Sequence, residues 1–359
     1  MHTQPALIAA ALGLAMAAWS CGDDPFAATQ ASTADASADA LDASVFGQSD
    51  GGAPLVSLPG PADAGDAQAE TAADATPAVD ATPAADAVAS PTSAPATIFG
   101  PRPAAVTVPK QWASKDKWPL VVLLHGFSAT GWQQDWYLGL SARVDKHGFV
   151  AVVPEGTKNA AGLQFWNATK ACCNFANQPV DDVAYIEALI DEAVAKLKVD
   201  PARVYLYGHS NGAFMALRFA CERSAKVTAV LSLAGATDID PTWCKNALPV
   251  HVLFVHGTLD NVIPFNGGVN LGNPFPGVKT SAANWVGYNG CPSKGEKLPD
   301  VNFEDILIGN ETQRTRWGPC QKGTQVELWQ VNGALHVPIW NDAYRDAAIA
   351  YLLERTRGL

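Results

Sequence analysis

Short apolar runs alternate with longer amphipathic stretches from residue 104 to the C-terminus. A run in which every position is apolar is typical of a parallel strand buried on both faces, whereas an apolar residue every three or four positions predicts a helix. Alternating strands and helices indicate a parallel sheet flanked by helices. The predicted strands cover residues 119–124, 149–153, 204–207, 227–233, 250–255 and 326–331.

Helices are predicted in the segments that join and follow these strands. The clearest covers residues 181–198 and begins with two acids, which are favourable at the positive end of a helix. Its apolar face consists of Val183, Ile186, Ile190, Val194 and Leu197. The other predicted helices lie at 136–146, between the strand at 204–207 and about residue 221, and at 343–355. Together these elements predict an α/β fold with a mostly parallel central sheet.

The first 103 residues have a different pattern. The apolar core at residues 6–18 is too short to span a bilayer and is typical of a secretory signal. The small residue before Cys21 indicates a lipoprotein signal with Cys21 as lipid anchor; a plain secretion signal with an incidental cysteine is the alternative. Residues 22–103 are rich in Ala, Asp, Thr, Ser and Pro without periodicity, which predicts a disordered tether. The predicted organisation is a signal at 1–21, a linker at 22–103 and a folded domain at 104–359.

The formal net charge of −11 is confined to the N-terminal part of the 359-residue chain. Residues 1–103 contain twelve acids and a single base, Arg102, whereas residues 104–359 contain 23 acids and 23 bases. A domain with balanced charge and no basic patch has no electrostatic surface that would bind phosphates. Nucleic acid is therefore excluded as a partner.

Six of the seven cysteines lie in the predicted domain, and in an exported protein they allow up to three disulfides. We expect Cys291 to pair with Cys320, because this bond would close the Gly- and Pro-rich segment before the last strand. The adjacent pair Cys172 and Cys173 is not expected to form a bond with itself. This leaves Cys221 and Cys244 as partners of that pair or of each other. The Cys and His residues show no spacing typical of a metal site.

A Gly-x-Ser-x-Gly sequence, Gly208-His209-Ser210-Asn211-Gly212, lies between a predicted strand and a predicted helix. In this context the turn strains the backbone at the serine and presents its hydroxyl at the carboxyl edge of the sheet, so only small residues fit two positions away. The helix that follows points its amide dipoles toward the hydroxyl. Ser210 is therefore predicted to be a catalytic nucleophile.

A serine hydroxyl needs a base within hydrogen-bond reach, held in one tautomer by a carboxylate. After such a turn the acid comes next in the chain and the histidine follows it. His336 lies on the loop after the last predicted strand and is predicted to be the base. His251 lies within a strand, and His256 ends that strand, where an ordinary hydrogen-bonded histidine is expected.

The acid is predicted to be Asp260, on the loop after the strand at 250–255, with Asp238 and Asp240 on the preceding loop as alternatives. An oxyanion hole requires two backbone N–H donors, one directly after the nucleophile and one from the loop after the first long strand. These are predicted to be the amides of Asn211 and Phe127, with Ser128 a less favoured helper. His125 is expected to brace the loop.

Large flat indoles are suited to bind an aromatic acyl group or a sugar, and Trp166 and Trp340 are the predicted substrate-binding residues. Core packing is the alternative, since tryptophans are mostly buried.

The chain resembles exported esterases of the polyhydroxybutyrate depolymerase or feruloyl and acetylxylan esterase family over about residues 104–340. The resemblance is carried by Leu124-His125-Gly126, Trp166 with Cys172-Cys173 and Asp181-Asp182-Val183, the serine turn, His256-Gly257-Thr258-x-Asp260 and the loop from Gly333 to His336. It implies an α/β-hydrolase fold, no cofactor and ester hydrolysis through an acyl-enzyme. Family members often place an aromatic-proline pair after the histidine, whereas this chain has Val337-Pro338, so the shape of the acyl pocket is left open.

The leading hypothesis is therefore an exported serine carboxylic ester hydrolase of the polyhydroxybutyrate depolymerase type, extracellular or attached to the cell envelope. Its partner would be a hydroxyalkanoate polyester or oligomer, or alternatively a feruloyl or acetyl ester of a plant polysaccharide. A serine peptidase on the same scaffold is a second enzyme class, because fold and triad do not determine the scissile bond. A surface binding lipoprotein with an inactive site is the non-enzymatic alternative.

Overall fold

The structure, a computed structural model, describes residues 94–99 and 102–357. Within these residues, ten strands form one sheet and four short strands form two hairpins. The strands of the large sheet are β1 (Thr97–Ile98), β2 (Ala104–Thr107), β3 (Trp118–Leu124), β4 (Val150–Val153), β7 (Val199–His209), β8 (Ala229–Leu233), β9 (His251–Gly257), β12 (Glu296–Val301), β13 (Thr312–Trp317) and β14 (Val326–Val331). The hairpins are β5 (Thr157–Lys158) with β6 (Gln164–Phe165), and β10 (Gly267–Asn270) with β11 (Asn273–Pro276).

The large sheet has the order β1-β2-β4-β3-β7-β8-β9-β14-β13-β12. The six strands from β4 to β14 in this order are mutually parallel, and antiparallel strands flank them on both sides. Every residue of β3, β4, β8 and β9 is buried, as expected for strands covered on both faces. The α/β-hydrolase fold predicted from the sequence is confirmed.

Helices cover both faces of the sheet. They are α1 (Gly131–Leu138), α2 (Val144–His147), α3 (Asp182–Lys196), α4 (Asn211–Glu222), α5 (Val278–Tyr288) and α6 (Asp342–Leu353). Apolar side chains of α3, α4 and α5 pack in one core layer, and those of α1, α2 and α6 pack in the layer on the opposite face. The helix starts follow the expected chemistry, since Thr130, Asp181 and Asn341 cap α1, α3 and α6 with their side-chain oxygens.

The predicted parallel strands and three of the predicted helices agree with the structure to within a few residues. The stretch predicted as one helix at 136–146 is divided by a break at Gly139. In its place α1 begins earlier, at Gly131, and ends at Gly139, whose left-handed backbone (φ 63°) closes the helix. A separate short helix, α2, follows at Val144–His147.

The described fold begins before the predicted domain boundary at residue 104. Thr97 and Ile98 pair with β2, and Ile98 is buried in the core. Arg102 forms a half-buried ion pair with the buried Asp182 at the start of α3, with its guanidinium 2.9 Å from the carboxylate. Residues 97–99, 102 and 103 therefore belong to the domain. The predicted signal at 1–21, Cys21 and most of the predicted linker lie outside the described residues.

Three disulfides link the domain cysteines. Cys291 pairs with Cys320, as predicted, and Cys221 pairs with Cys244, one of the alternatives that the spacing left open. Cys172 and Cys173 pair with each other, so the expectation that they bond elsewhere is wrong. They lie in a tight turn in which Thr169 and Cys172 exchange two backbone hydrogen bonds, and this turn buries both cysteines side by side.

The register of the parallel strands brings their carboxyl ends to one edge of the sheet. Leu124 pairs with Gly208, and His209 pairs with Leu233 on the next strand. On the other side of β8, β9 and β14 end together at the pair formed by Gly257 and Val331. Loops that follow β3, β7, β9 and β14 therefore meet at this edge. In the described part of the chain, no helix is both long enough and apolar enough to cross a membrane.

Candidate active site

Ser210 lies on the turn between β7 and α4, at the carboxyl edge of the sheet. Its backbone is strained, with φ 54° and ψ −121°, and its amide donates to the carbonyl of Leu233 on β8 (2.8 Å). Ser210 stands at the N-cap of α4, where serine hydroxyls commonly accept a helix amide, yet its hydroxyl makes no capping hydrogen bond. The turn thus holds the hydroxyl for a role other than capping.

Gly208 and Gly212 make this turn possible. A Cβ on Gly208 would collide with the backbone of Gly212, and a Cβ on Gly212 would collide with the carbonyl of Leu124 on β3. Any side chain at either residue would push α4 away from the sheet. The glycines of the Gly-x-Ser-x-Gly sequence are therefore explained by packing of backbone against backbone.

His336 and Asp260 form a buried pair at the same edge. The Nδ1 of His336 lies 2.7 Å from the Oδ2 of Asp260, and the two side chains are 3% and 0% exposed. The Nδ1–H faces a carboxylate, so the other ring nitrogen, Nε2, is left as the proton acceptor. Nε2 is buried and has no hydrogen-bond partner within residues 94–99 and 102–357. This is the arrangement that a general base requires.

The carboxylate of Asp260 is held by four donors. Its Oδ1 accepts from the amides of Val262 (2.9 Å) and Ile263 (2.8 Å), while Oδ2 faces His336 and also the Nε2 of His256 at 3.2 Å. Burial alone would raise the pKa of this carboxyl, but the facing imidazoles outweigh burial and hold the pKa well below its ordinary value. Asp260 is therefore ionised at neutral pH and available to orient a histidine.

The alternative acids do not reach this pair. The carboxylate of Asp238 accepts the amide of Asp240, and that of Asp240 accepts the amide and hydroxyl of Thr242, so both stabilise their own loop. Asp240 is exposed to solvent. Of the three acids considered from the sequence, the structure brings only Asp260 to His336.

His209, immediately before the nucleophile, braces the loop that carries His336. Its Nε2 lies 3.2 Å from the carbonyl of His336, which can only accept, and its ring packs against the ring of His336 with centroids 5.2 Å apart. Burial lowers the pKa of His209 to about 3, so the ring is neutral. Sequence reasoning did not identify this residue, because nothing in the turn motif indicates what its second residue contacts.

Glu304 holds the same loop from the other side. Its Oε1 accepts the amide of Ile339, three residues after His336, and its Oε2 accepts the amides of Ile306 and Leu307, each at 2.8 Å. The residue is 5% exposed. A lone glutamate carries no sequence signal of burial, so it was missed.

The loop after β3 is braced by His125, as predicted. Its Nδ1–H donates to the carbonyl of Gly126, and its Nε2 accepts the amide of Gly156, both at 2.8 Å. Burial lowers the pKa of His125 to about 4, which keeps the ring neutral and this tautomer in place. Gln134, a buried residue of α1, fixes the loop further: its side-chain oxygen accepts a hydrogen bond from the amide of Gly126 at 3.1 Å.

Of the predicted oxyanion-hole amides, Asn211 begins α4 directly after the nucleophile and Phe127 follows β3 at the same edge. Ser128, the less favoured helper, donates its amide to the carbonyl of Gln164 (2.8 Å), which commits it elsewhere. The side chain of Asn211 pairs with the backbone of Trp166 through two hydrogen bonds of 2.7 and 2.9 Å. This pairing fixes Trp166, the residue directly after β6, beside the turn that carries Ser210.

Trp166 and Trp340, the predicted substrate-binding residues, lie in the core. Trp166 is 0% exposed; its indole N–H donates to the carbonyl of His125, and its ring lies between Arg102 and the ring of His125. Trp340 is 2% exposed and stacks on Tyr344 of α6 with centroids 3.6 Å apart. Packing buries both rings, against the expectation that they contact substrate, although Trp340 borders a pocket of about 260 Å³ beside Tyr137 and Arg345. Trp166 instead stabilises the loop after β3 through the hydrogen bond from its indole to the carbonyl of His125.

Residues 107–276 match the phospholipase/carboxylesterase family. Curated relatives are esterases: feruloyl esterase B of Piromyces equi is 28% identical over 66% of this chain and 42% of that protein, and a probable feruloyl esterase C of Aspergillus clavatus is 33% identical over 48% and 56%. The bifunctional acetylxylan esterase/xylanase XynS20E of Neocallimastix patriciarum is 26% identical over 61% and 29%. The chain thus spans about half or less of the length of these relatives.

The fold is that of an α/β-hydrolase. Its segment at residues 107–276 is similar to the phospholipase/carboxylesterase family, and the predicted resemblance to feruloyl and acetylxylan esterases is confirmed. His336 lies beyond the matched segment, so its assignment depends on the geometry at the end of β14.

Proposed function

We propose that the protein is a serine carboxylic ester hydrolase that acts through an acyl-enzyme, with Ser210 as nucleophile, His336 as base and Asp260 as the orienting acid. The observation that carries the proposal is the buried contact of 2.7 Å between Asp260 and His336 at the sheet edge where the strained Ser210 turn ends β7. The ends of β7, β9 and β14 bring these residues, which are far apart in the chain, to one edge of the sheet, and the surroundings of Asp260 and His336 support their proposed roles.

In the proposed reaction the hydroxyl oxygen of Ser210 attacks the ester carbonyl while Nε2 of His336 takes the hydroxyl proton. The amides of Asn211 and Phe127 donate to the oxygen that becomes negative. When the tetrahedral intermediate collapses, the carbon–oxygen bond to the alcohol breaks and His336 returns the proton to the departing alcohol. Water then attacks the acyl group on Ser210 with His336 again as base, which releases the acid and restores the serine.

For the substrate, we favour an acyl ester carried by a polysaccharide. A groove of about 510 Å³ borders Arg218 and Glu222 in the C-terminal half of α4, away from Ser210 and with none of the proposed catalytic residues in its lining, and its walls include two cations and two anions together with two aromatic side chains. A neutral, strongly polar groove with aromatic faces suits an uncharged polyhydroxylated chain. The names of the curated relatives favour the same class. The charged walls of the groove are Lys170, Arg218, Glu222 and Asp238, and its aromatic side chains are Phe175 and Trp243.

A hydroxyalkanoate polyester is the second candidate, and a different observation favours it. Large aliphatic side chains are exposed on the loops around Asp260 and His336: Leu259 is 60% exposed and Leu335 is 56% exposed. Ile306 and Ile308, on the loop that Glu304 ties to the His336 loop, are also exposed. Such side chains suit contact with an apolar polymer.

A comparison of matched esters separates the two candidates. Methyl ferulate and a feruloylated arabinoxylan oligosaccharide carry the same acyl group, so only the alcohol differs. We expect kcat/KM to be at least about tenfold higher for the oligosaccharide, which corresponds to about 1.4 kcal/mol of added binding. Hydroxybutyrate oligomers, acetylated xylan and a peptide panel complete the assay. Faster cleavage of hydroxybutyrate oligomers than of every sugar ester would assign the polyester instead.

We also propose that the chain is exported and attached to a membrane through a lipid on Cys21, on the support of the short apolar segment that precedes this cysteine. A bacterium that processes lipoproteins should incorporate radiolabelled palmitate into the full chain, and Cys21→Ser should remove the label. Ser210→Ala is the control and should keep it, because the label is then not an acyl group on the nucleophile. Label that persists in Cys21→Ser contradicts the anchor.

A further inference from the structure

The acid of the proposed triad faces two imidazoles. His256, the second-last residue of β9, lies with its Nε2 3.2 Å from Oδ2 of Asp260, the same oxygen that His336 contacts at 2.7 Å. His256 is 1% exposed, and its ring is covered by the edge of Phe265 at a centroid distance of 5.8 Å. The sequence suggested only an ordinary structural histidine at this strand end.

The surroundings determine where the hydrogen of His256 lies. Its Nε2 also lies 2.7 Å from the carbonyl oxygen of Ile263, so both neighbours of this nitrogen are acceptors. Nε2 must therefore carry the hydrogen, which is shared between the carbonyl and the carboxylate. The other nitrogen, Nδ1, is buried and has no hydrogen-bond partner among the residues that the structure describes. The amide of Ile263 donates to Oδ1 of Asp260. His256 and Asp260 therefore bind the same residue, His256 through its carbonyl and Asp260 through its amide.

We propose that His256 is a positioning residue of the active site: its Nε2–H holds the Asp260 carboxylate in the one rotation that meets Nδ1 of His336. This inference rests on the proposed function, since it assigns a task within the same triad. Without His256 the Oδ2 oxygen keeps a single donor, and only the two amides that bind Oδ1 then oppose a rotation of the carboxylate away from His336. The ring of His336 then spends less time in the tautomer and orientation that leave Nε2 as acceptor.

A structural role and a positioning role predict different kinetics. His256→Leu should lower kcat about 10- to 100-fold, the usual range for residues that orient an active-site group, with KM changed less than about twofold. His256→Gln places an amide N–H near the former Nε2 and should restore most of kcat. The matched control is His251→Leu, because His251 is a buried histidine at the other end of the same strand and contacts the amide of Gln325. We expect His251→Leu to lose stability but to keep kcat.

Two outcomes would overturn the proposal: wild-type kcat in His256→Leu, or a loss in His256→Gln as large as in His256→Leu. A spectroscopic test does not depend on any variant folding. In the ¹⁵N-histidine-labelled wild-type protein, His256 should show a protonated Nε2 and an unprotonated Nδ1; the opposite tautomer removes the donor and the proposal with it. Failure of the esterase proposal is distinguishable, because it would show as wild-type activity that does not depend on Ser210.

Discussion

Replacing Ser210 with alanine is expected to lower kcat for p-nitrophenyl acetate by roughly 10⁴- to 10⁶-fold, the range found when a triad nucleophile is removed. The variant should fold, because the Ser210 hydroxyl makes no capping hydrogen bond to α4 and the residue is 4% exposed. Alanine also meets the same backbone strain that serine already bears. The measurement is steady-state hydrolysis by purified residues 94–359, with circular dichroism to confirm the fold.

A matched control separates loss of the nucleophile from loss of packing. Ser232 lies on the neighbouring strand β8 and is buried, with a hydroxyl that has no hydrogen-bond partner in the described residues. Ser232→Ala should therefore retain kcat within about twofold while removing an equivalent buried hydroxyl. Turnover that is unchanged in Ser210→Ala would remove the nucleophile assignment and the acyl-enzyme with it.

Asp260→Asn should reduce kcat about 10⁴-fold while the turn around it persists, the magnitude known for the corresponding change in a serine protease triad. The amide oxygen can still accept from Val262 and Ile263, whose amides now donate to Oδ1 at 2.9 and 2.8 Å. The amide N–H₂ then faces Nδ1 of His336 and donates to it. This places the ring hydrogen on Nε2, and His336 can no longer accept the proton of Ser210.

Steady-state kcat on p-nitrophenyl acetate and a thermal melt check this expectation, because the activity loss should come without a comparable loss of stability. Asp240→Asn serves as the control and should stay within about twofold of wild type, since its carboxylate accepts only from Thr242 of its own loop. A loss in Asp238→Asn as large as in Asp260→Asn would show that the acid is on the loop after β8.

The parallel strands could be predicted because burial on both faces leaves a continuous apolar run, as in β3 and β9. The antiparallel edge strands could not. β12 reads Glu-Lys-Leu-Pro-Asp-Val and β13 reads Thr-Gln-Arg-Thr-Arg-Trp, and their residues are mostly exposed or half-buried. Such segments contain no apolar run, and they become strands because the free edge of β14 offers backbone partners.

The proposed triad follows from the order of elements, since a strand end places a residue at the sheet edge whatever the details of packing. The errors concern properties that depend on neighbours distant in the chain. The indoles of Trp166 and Trp340 could line a cleft or fill the core, and only the contacts with Arg102 and Tyr344 decide for the core. The contact of His256 with Asp260 was likewise invisible, although the four-residue spacing between them could have suggested it.

The last strand of the parallel set also governs when the chemistry can exist. β14 lies between β9 and β13, and the base follows its final residue by only a few positions. A nascent chain that has emerged through the family-matched segment already contains the alcohol and the carboxylate, yet it lacks the imidazole that would accept a proton. In the proposed triad, translation must pass residue 336 and β14 must insert before an ester can be cleaved. Catalytic competence therefore depends on a strand that lies outside the family-matched segment.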